Sequence, residues 1–216
     1  METALLLKGK SLPEGNGPIL VIQLGDIGDV VLTLPAIEVL GKAFPGRPLV
    51  LCVREHAREL MEDCPWVHHV LSVTKQKRAL PDALAHQLQF LRDLRGYRCA
   101  LAIELRTGTR GAVIARLSGA KTRVARYAND GKLWRNRLFT HLVRPTRENL
   151  QHAAQHSLNI MAPFGLAEAD PRPSISVSRR RREKAKDIFR KAKIPNDSPL
   201  VAVHPFSLWK YKEWEP

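Results

Sequence analysis

The chain has 216 residues, 44% hydrophobic and 26% charged, with a formal net charge of +14. That length holds one domain with a full core, or one domain and part of another, and no apolar run approaches the roughly 20 residues of a membrane-spanning helix. The charge favours an anionic partner: nucleic acid, an acidic membrane surface or a phosphorylated substrate.

Met1 to Lys10 has only Leu5-Leu6-Leu7 as an apolar centre and no cleavage-site pattern. Residues 1–17 therefore read as an N-terminal extension rather than a signal peptide, and a cytoplasmic location is expected. Ile19–Leu24 is an apolar, β-branched run closed by glycine, the pattern of a buried parallel strand. Further strands are predicted at Leu49–Val53, Val70–Val73, Ala100–Glu104 and Arg123–Ala125. Helices are predicted at about Pro35–Ala43, Ala57–Glu62, Pro81–Arg95, Thr109–Leu117 and Glu148–Pro163. Pro35 and Pro81 suit first helical turns, with Thr33 near the cap of the earlier one, unless that helix begins at Gly28 and kinks. Residues 126–147 are basic and irregular and read as a surface loop. The alternation predicts an α/β fold, a Rossmann-like parallel sheet with helices on both faces. Cys52, Cys64 and Cys99 form no Cys-x-x-Cys pair, which argues against a zinc ribbon or a redox motif. Cys52 and Cys99 read as reduced core thiols.

A break follows at Asp170-Pro171-Arg172-Pro173. Ser174–Val177 is a candidate extended segment, and Arg179–Lys193 a very basic helix. Leu200-Val201-Ala202-Val203-His204 then reads as a buried strand that opens a second α/β domain, most of it outside this chain. The expected division is 1–17, 18–173, 174–197 and 198–216.

The turn Gln23-Leu24-Gly25-Asp26-Ile27-Gly28-Asp29-Val30 sits at the carboxyl end of the first strand, where open α/β sheets bind ligands. It lacks both the Gly-x-Gly-x-x-Gly spacing and the P-loop ending. Its glycines allow close backbone approach to a ligand, and Asp26 and Asp29 offer carboxylates within reach of a sugar hydroxyl. The plainer reading is that one of these acids caps the following helix.

Several stretches in order resemble glycosyltransferase family 9, the ADP-heptose:lipopolysaccharide heptosyltransferases. They are Ile19 to Ala36, with Gly28-Asp29-Val30 followed by Thr33-Leu34-Pro35-Ala36; Ala100 to Leu105 with Arg110-Gly111-Ala112 and Ala115 to Ala120; His152-Ala153-Ala154-Gln155-His156 running to Leu166; and Val203-His204-Pro205 with Lys212-Glu213-Trp214. The chain departs from the pattern after the fourth strand, with Glu104 and Arg106-Thr107-Gly108 where the family often has Asp and Gln-Gly. The resemblance implies the N-terminal half of a GT-B architecture, two Rossmann-like domains facing a cleft. It also implies transfer of heptose from ADP-heptose, or a related nucleotide sugar, to an anionic, lipid-linked lipopolysaccharide core acceptor, with inversion and with neither metal nor cofactor.

On that resemblance Asp29 matches the proposed catalytic base. An ionised carboxylate is a weak base, which suffices where the transition state is oxocarbenium-like and the proton leaves late. Lys212, and more weakly Ser207, match donor phosphate-binding positions. Asp26, Gly28, Arg110, Lys75, Lys77 and Arg78 are candidate acceptor-binding residues. With the donor site largely absent, the 216-residue chain alone is expected to be inactive. His152 and His156 have zinc-like spacing but no third ligand, so no metal site is expected. Arg179-Arg180-Arg181-Arg182 reads as a solvated face, drawn at most to anionic lipid in peripheral contact with a membrane. The alternative is a non-catalytic, basic Rossmann-like module for nucleic acid or phosphorylated ligands. Nucleic acid is the less expected partner, because 6% aromatic residues leave no evident stacking platform. A nicotinamide dehydrogenase is weaker still, because Arg54 stands where such enzymes place an acid.

Overall fold

The computed structural model describes residues 4–5, 12, 16–74, 80–129, 133–166, 170, 172–195, 199–207 and 210–213. The chain divides into two compact units, Met1–Ser176 and Val177–Pro216. No described helix is long and apolar enough to cross a membrane.

The strands of the first unit are β1 (Ala4–Leu5), β2 (Ile19–Gln23), β3 (Leu49–Arg54), β4 (His69–Val73), β5 (Leu101–Glu104), β6 (Thr122–Arg126) and β7 (His141–Arg144). Its helices are α1 (Ile27–Val31), α2 (Leu34–Ala43), α3 (Arg58–Met61), α4 (Leu80–Gly96), α5 (Thr109–Leu117), α6 (Leu133–Asn136) and α7 (Ala153–Asn159). They form one sheet in the order β1-β7-β6-β5-β2-β3-β4. Every pairing is parallel except β1 with β7. β2 lies between β3 and β5, so the chain winds outward from it first in one direction and then in the other. The crevice at the carboxyl ends of β2 and β5 is the switch point at which such sheets bind ligands.

Alternation along β2 builds two cores. Ile19 and Val21 pack with Ile37 and Leu40 of α2, Met61 of α3 and Leu158 of α7. Leu20 and Ile22 face the other way, with Leu94 of α4 and Ala112 and Ala115 of α5. Each aliphatic side chain so buried contributes about 1.5–3 kcal/mol, which is why a run apolar at every position forms a central strand with helices on both faces. Cys52 and Cys99 are buried and unpaired. Burial pushes their thiols up, to about 12 for Cys52 and about 11 for Cys99, so both stay protonated and inert.

The first helical region is two helices, with Thr33 at the N-cap of α2 and Pro35 in its first turn. The expected helix over 148–163 is also divided. His152 Nδ1 accepts from Ala154 N–H at 3.3 Å and starts α7 there, while Glu148–Leu150 and Ala162–Phe164 form separate 3₁₀ turns. The reading of 126–147 as a surface loop is overturned: this stretch supplies α6 and β7, with Arg135, Phe139 and Val143 buried. Its charge suggested solvent, but Arg135 carries its charge into the core by pairing with Glu104. Within the N-terminal extension, Ala4–Leu5 pair with β7 as a short antiparallel edge strand.

The second unit contains α8 (Arg179–Lys191), begun by Ser178 Oγ accepting from Arg181 N–H at 3.4 Å. The expected buried strand at Leu200–His204 is not formed. Leu200, Val201 and Val203 are 58%, 85% and 78% exposed, and no strand lies among the described residues of that unit for them to pair with.

Candidate active site at the switch point

Gln23 ends β2 with its side chain buried, and its Oε1 accepts from Gly25 N–H at 3.1 Å. That bond turns the chain out of the sheet. Asp26 is the extended N-cap of α1, and Val30 N–H donates to its carbonyl at 3.1 Å. Asp29 lies three residues on, and its Oδ2 accepts from Asp26 N–H at 3.0 Å. The plainer reading of this acid is therefore realised: Asp29 does cap its helix.

It does more than cap. Arg106, just beyond β5, donates from Nη1 to the same Asp29 Oδ2 at 2.6 Å. Arg54, at the end of β3, donates from Nη1 to Asp26 Oδ1 at 2.6 Å. Each acid of the turn is thus held by an arginine from a neighbouring strand end. Gly25 makes the arrangement possible: a Cβ there would lie 2.4 Å from Arg106 Nη1 and 2.5 Å from Asp29 Cβ. Gly28 has no such constraint, since a Cβ on it would meet open space.

Two cavities adjoin this pair. One of about 270 Å³ is lined by Gln23, Asp29, Arg106, Thr107, Arg126 and His156 among others. The second, of about 340 Å³, is lined by Arg54, Arg106, Thr107, Gly108 and Arg110 among others. Arg106 lines both. Arg110 is exposed, and its Nη2 donates to Thr74 carbonyl at 3.3 Å. The arrangement offers one carboxylate at an open cavity and three guanidinium groups in the adjoining one, suited to a hydroxyl-bearing ligand with a nearby anionic group.

The remaining candidates fall elsewhere. Lys75, Lys77 and Arg78 lie outside the described residues. Ser207 is in the second unit, where its N–H donates to Glu213 Oε1 at 3.2 Å, and Lys212 ends the 3₁₀ turn Lys210–Lys212 of the same unit. His156 Nε2 lies 2.9 Å from Glu148 carbonyl, so His152 and His156 both serve local structure.

Beneath the cavities lies the buried pair Glu104–Arg135, 2% and 0% exposed. Arg135 also donates to Arg126 carbonyl and Arg106 carbonyl, each at 2.8 Å, and so ties together two strand-end segments that line the site. Gly111 lets α5 approach this pair, since a Cβ there would lie 2.8 Å from Glu104 Oε1. Burial pushes the Glu104 carboxyl up to about 7, with Arg135 pulling it back down. The folded state therefore holds a proton that the unfolded chain releases near 4.5. The stability this proton contributes is fully present below pH 4.5 and is lost as pH rises through about 7. Urea midpoints are expected to fall across that window, and Glu104→Gln is expected to flatten the slope there.

The sequence reading missed Arg106 as the partner of Asp29, Arg54 as the partner of Asp26, and the buried Glu104–Arg135 pair. Arg106 and Glu104 had stood out only as departures from a motif. The one positional signal for the arginines was that both follow strands.

No protein-family model matches the chain. Over 141 residues it is 23% identical to lipopolysaccharide heptosyltransferase 3 of Escherichia coli, covering 64% of this chain and 40% of that protein. In fold it is similar to the glycosyl transferase family 9 protein of Veillonella parvula, at TM-score 0.79 and 21% identity, covering 96% of this chain and 58% of that one. It is similar to the E. coli ADP-heptose LPS heptosyltransferase II at TM-score 0.60 and 15% identity, covering 84% and 52%. The heptosyltransferase WaaC of E. coli, solved with ADP-2-deoxy-2-fluoro heptose, matches at TM-score 0.59 and 19% identity, covering 68% and 48%. The chain spans about half the length of these relatives. The chain is thus similar in sequence to a lipopolysaccharide heptosyltransferase, and it shares the fold of glycosyltransferase family 9 and heptosyltransferase structures.

Proposed function

We propose that this chain forms the acceptor-binding part of an inverting glycosyltransferase that moves heptose, or a related sugar, from ADP-heptose to a lipopolysaccharide core acceptor. The observation that carries the reading is Asp29: a carboxylate at the switch point of the sheet, at the wall of an open cavity beside three arginines. Both of its bonds land on Oδ2. Oδ1 accepts no hydrogen bond among the described residues and is available to an acceptor hydroxyl.

In the proposed step the acceptor oxygen attacks the anomeric carbon from the face opposite ADP. The bond from that carbon to the phosphate oxygen breaks, and ADP leaves with the electron pair. The hydroxyl proton passes to Asp29, and a single displacement inverts the anomeric centre. Arg54, Arg106 and Arg110 attract the acidic groups of the acceptor, with Asp26 and Gly28 shaping the turn at its edge. Lys212 and Ser207 belong to the donor side, where a cation stabilises the charge gathering on the leaving diphosphate. The cell location that suits these substrates is the cytoplasmic face of a membrane. The structures of E. coli WaaC with ADP and with ADP-2-deoxy-2-fluoro heptose support this choice of donor.

The test is transfer from ADP-heptose to a heptose-deficient lipopolysaccharide core by a protein that joins this chain to a donor-nucleotide domain, with the anomeric configuration of the product read by NMR. Inverted product is expected. Retained configuration, or no transfer from any ADP-sugar, would sink the reading.

A further inference from the structure

An apolar trough between α4 and α5 takes no part in either ion-paired loop. α4 is held to the sheet by its C-terminal half, where Leu94 is 0% exposed and Phe90 and Leu91 pack on the core. In its N-terminal half, Leu84 and Leu88 are 60% and 58% exposed. Their spacing of four puts them on one stripe of the helix. Val113 and Leu117 of α5, each 38% exposed, lie on the other side of the same groove of about 340 Å³. Arg110 lines the groove and donates to Thr74 carbonyl at 3.3 Å, and Arg95 Nε donates to the carbonyl of Leu117, another lining residue, at 3.1 Å. No acidic side chain lines the groove among the described residues.

We propose that this groove docks the protein onto an anionic bilayer. Leu84, Leu88, Val113 and Leu117 enter the boundary between headgroups and acyl chains, while Arg95 and Arg110 meet lipid phosphates. Apolar side chains on rigid helices, flanked by cations, fit that boundary. The net charge of +14 adds attraction from a distance. A second copy of the chain fits poorly, because it would set the same excess positive charge, and the same arginines, against each other. Arg110 lines both this groove and the arginine-rich cavity. Docking here therefore places that cavity beside the membrane surface, where a lipid-linked saccharide would enter it. This last step rests on the glycosyl-transfer reading, whereas the docking itself does not.

The test uses the 216-residue chain and phosphatidylcholine vesicles with and without phosphatidylglycerol. The wild type is expected to co-sediment with the anionic vesicles and to keep part of that binding at high salt. The double variant Leu84→Gln/Leu88→Gln alters only exposed side chains and no charge, and is expected to bind about tenfold more weakly. A Leu88→Trp variant is expected to gain fluorescence that brominated phosphatidylglycerol quenches beyond the wild-type level. Unchanged binding by the double variant, absence of added quenching, or a stable dimer in solution that the double variant abolishes would each overturn the proposal. None of these outcomes depends on sugar transfer, so failure here is distinguishable from failure of the catalytic reading.

Discussion

Asp29→Asn is expected to cut sugar transfer by about 10²–10⁴-fold, the usual contribution of a positioned general base. The change keeps the shape of the side chain and keeps an oxygen able to accept from Asp26 N–H, but it removes the carboxylate proposed to take the hydroxyl proton. The structural cost is small by comparison. The pair with Arg106 is solvent-exposed, at 45% for each side chain, and such pairs contribute about 0–1 kcal/mol. An acid in the first turn of a helix adds about 0.3–1 kcal/mol. A urea midpoint shifted by no more than these amounts, together with a collapse in kcat, separates catalysis from capping. A kcat within a few-fold of wild type would reduce Asp29 to a cap. An ionised carboxylate is a weak base, and it serves only where positive charge builds on the sugar before the proton leaves. A linear dependence of rate on hydroxide, with no sensitivity to Asp29, would exclude that sequence of events.

The central sheet was legible because its strands are apolar at nearly every position. β2, β3 and β5 are buried on both faces, and period and composition point the same way there. The turn carrying Asp29 was legible as a site because it follows the first strand, a positional rule that holds whatever the side chains are. What failed was the reading of charge. Residues 126–147 read as a surface loop because they are basic and irregular, yet one of those arginines is the largest fully buried side chain among the described residues. A buried cation is tolerated only beside its counter-charge, and Glu104 lies 31 positions earlier in sequence. No local pattern announces such a pair. The same limit hid Arg106, whose partner is 77 positions away. Leu200–His204 failed in the opposite way. Its apolar, β-branched pattern is that of a strand, but a strand exists only where another offers its backbone groups, and no such neighbour lies among the described residues of its unit.

Arg135→Met is expected to destabilise the fold by about 3–5 kcal/mol near pH 8, the cost of leaving a buried charge without its partner. The loss is expected to shrink toward pH 5. Burial already pushes the Glu104 carboxyl up to about 7 with Arg135 in place. Removing the guanidinium leaves only the desolvation that favours the neutral acid. At pH 5 the acid is then protonated and needs no counter-charge, whereas at pH 8 the fold must either hold a lone carboxylate or take up a proton against the solution. Glu104→Gln removes the titrating group, so its own stability stays level while that of the wild type falls with rising pH, and its cost is expected to be larger at pH 5 than at pH 8. Replacing both residues by methionine removes the charges together, but it recovers only part of the loss. The carbonyls of Arg106 and Arg126, which accept from Arg135 at 2.8 Å, still lose their donor. Urea titrations of the three variants at the two pH values check this ordering, and equal losses for Arg135→Met at pH 5 and pH 8 would overturn it. Because those two carbonyls belong to the segments lining the Asp29 cavity, a folded Arg135→Met protein is also expected to transfer sugar more slowly than its residual stability accounts for. The buried pair thus fixes the floor on which Arg106 holds Asp29.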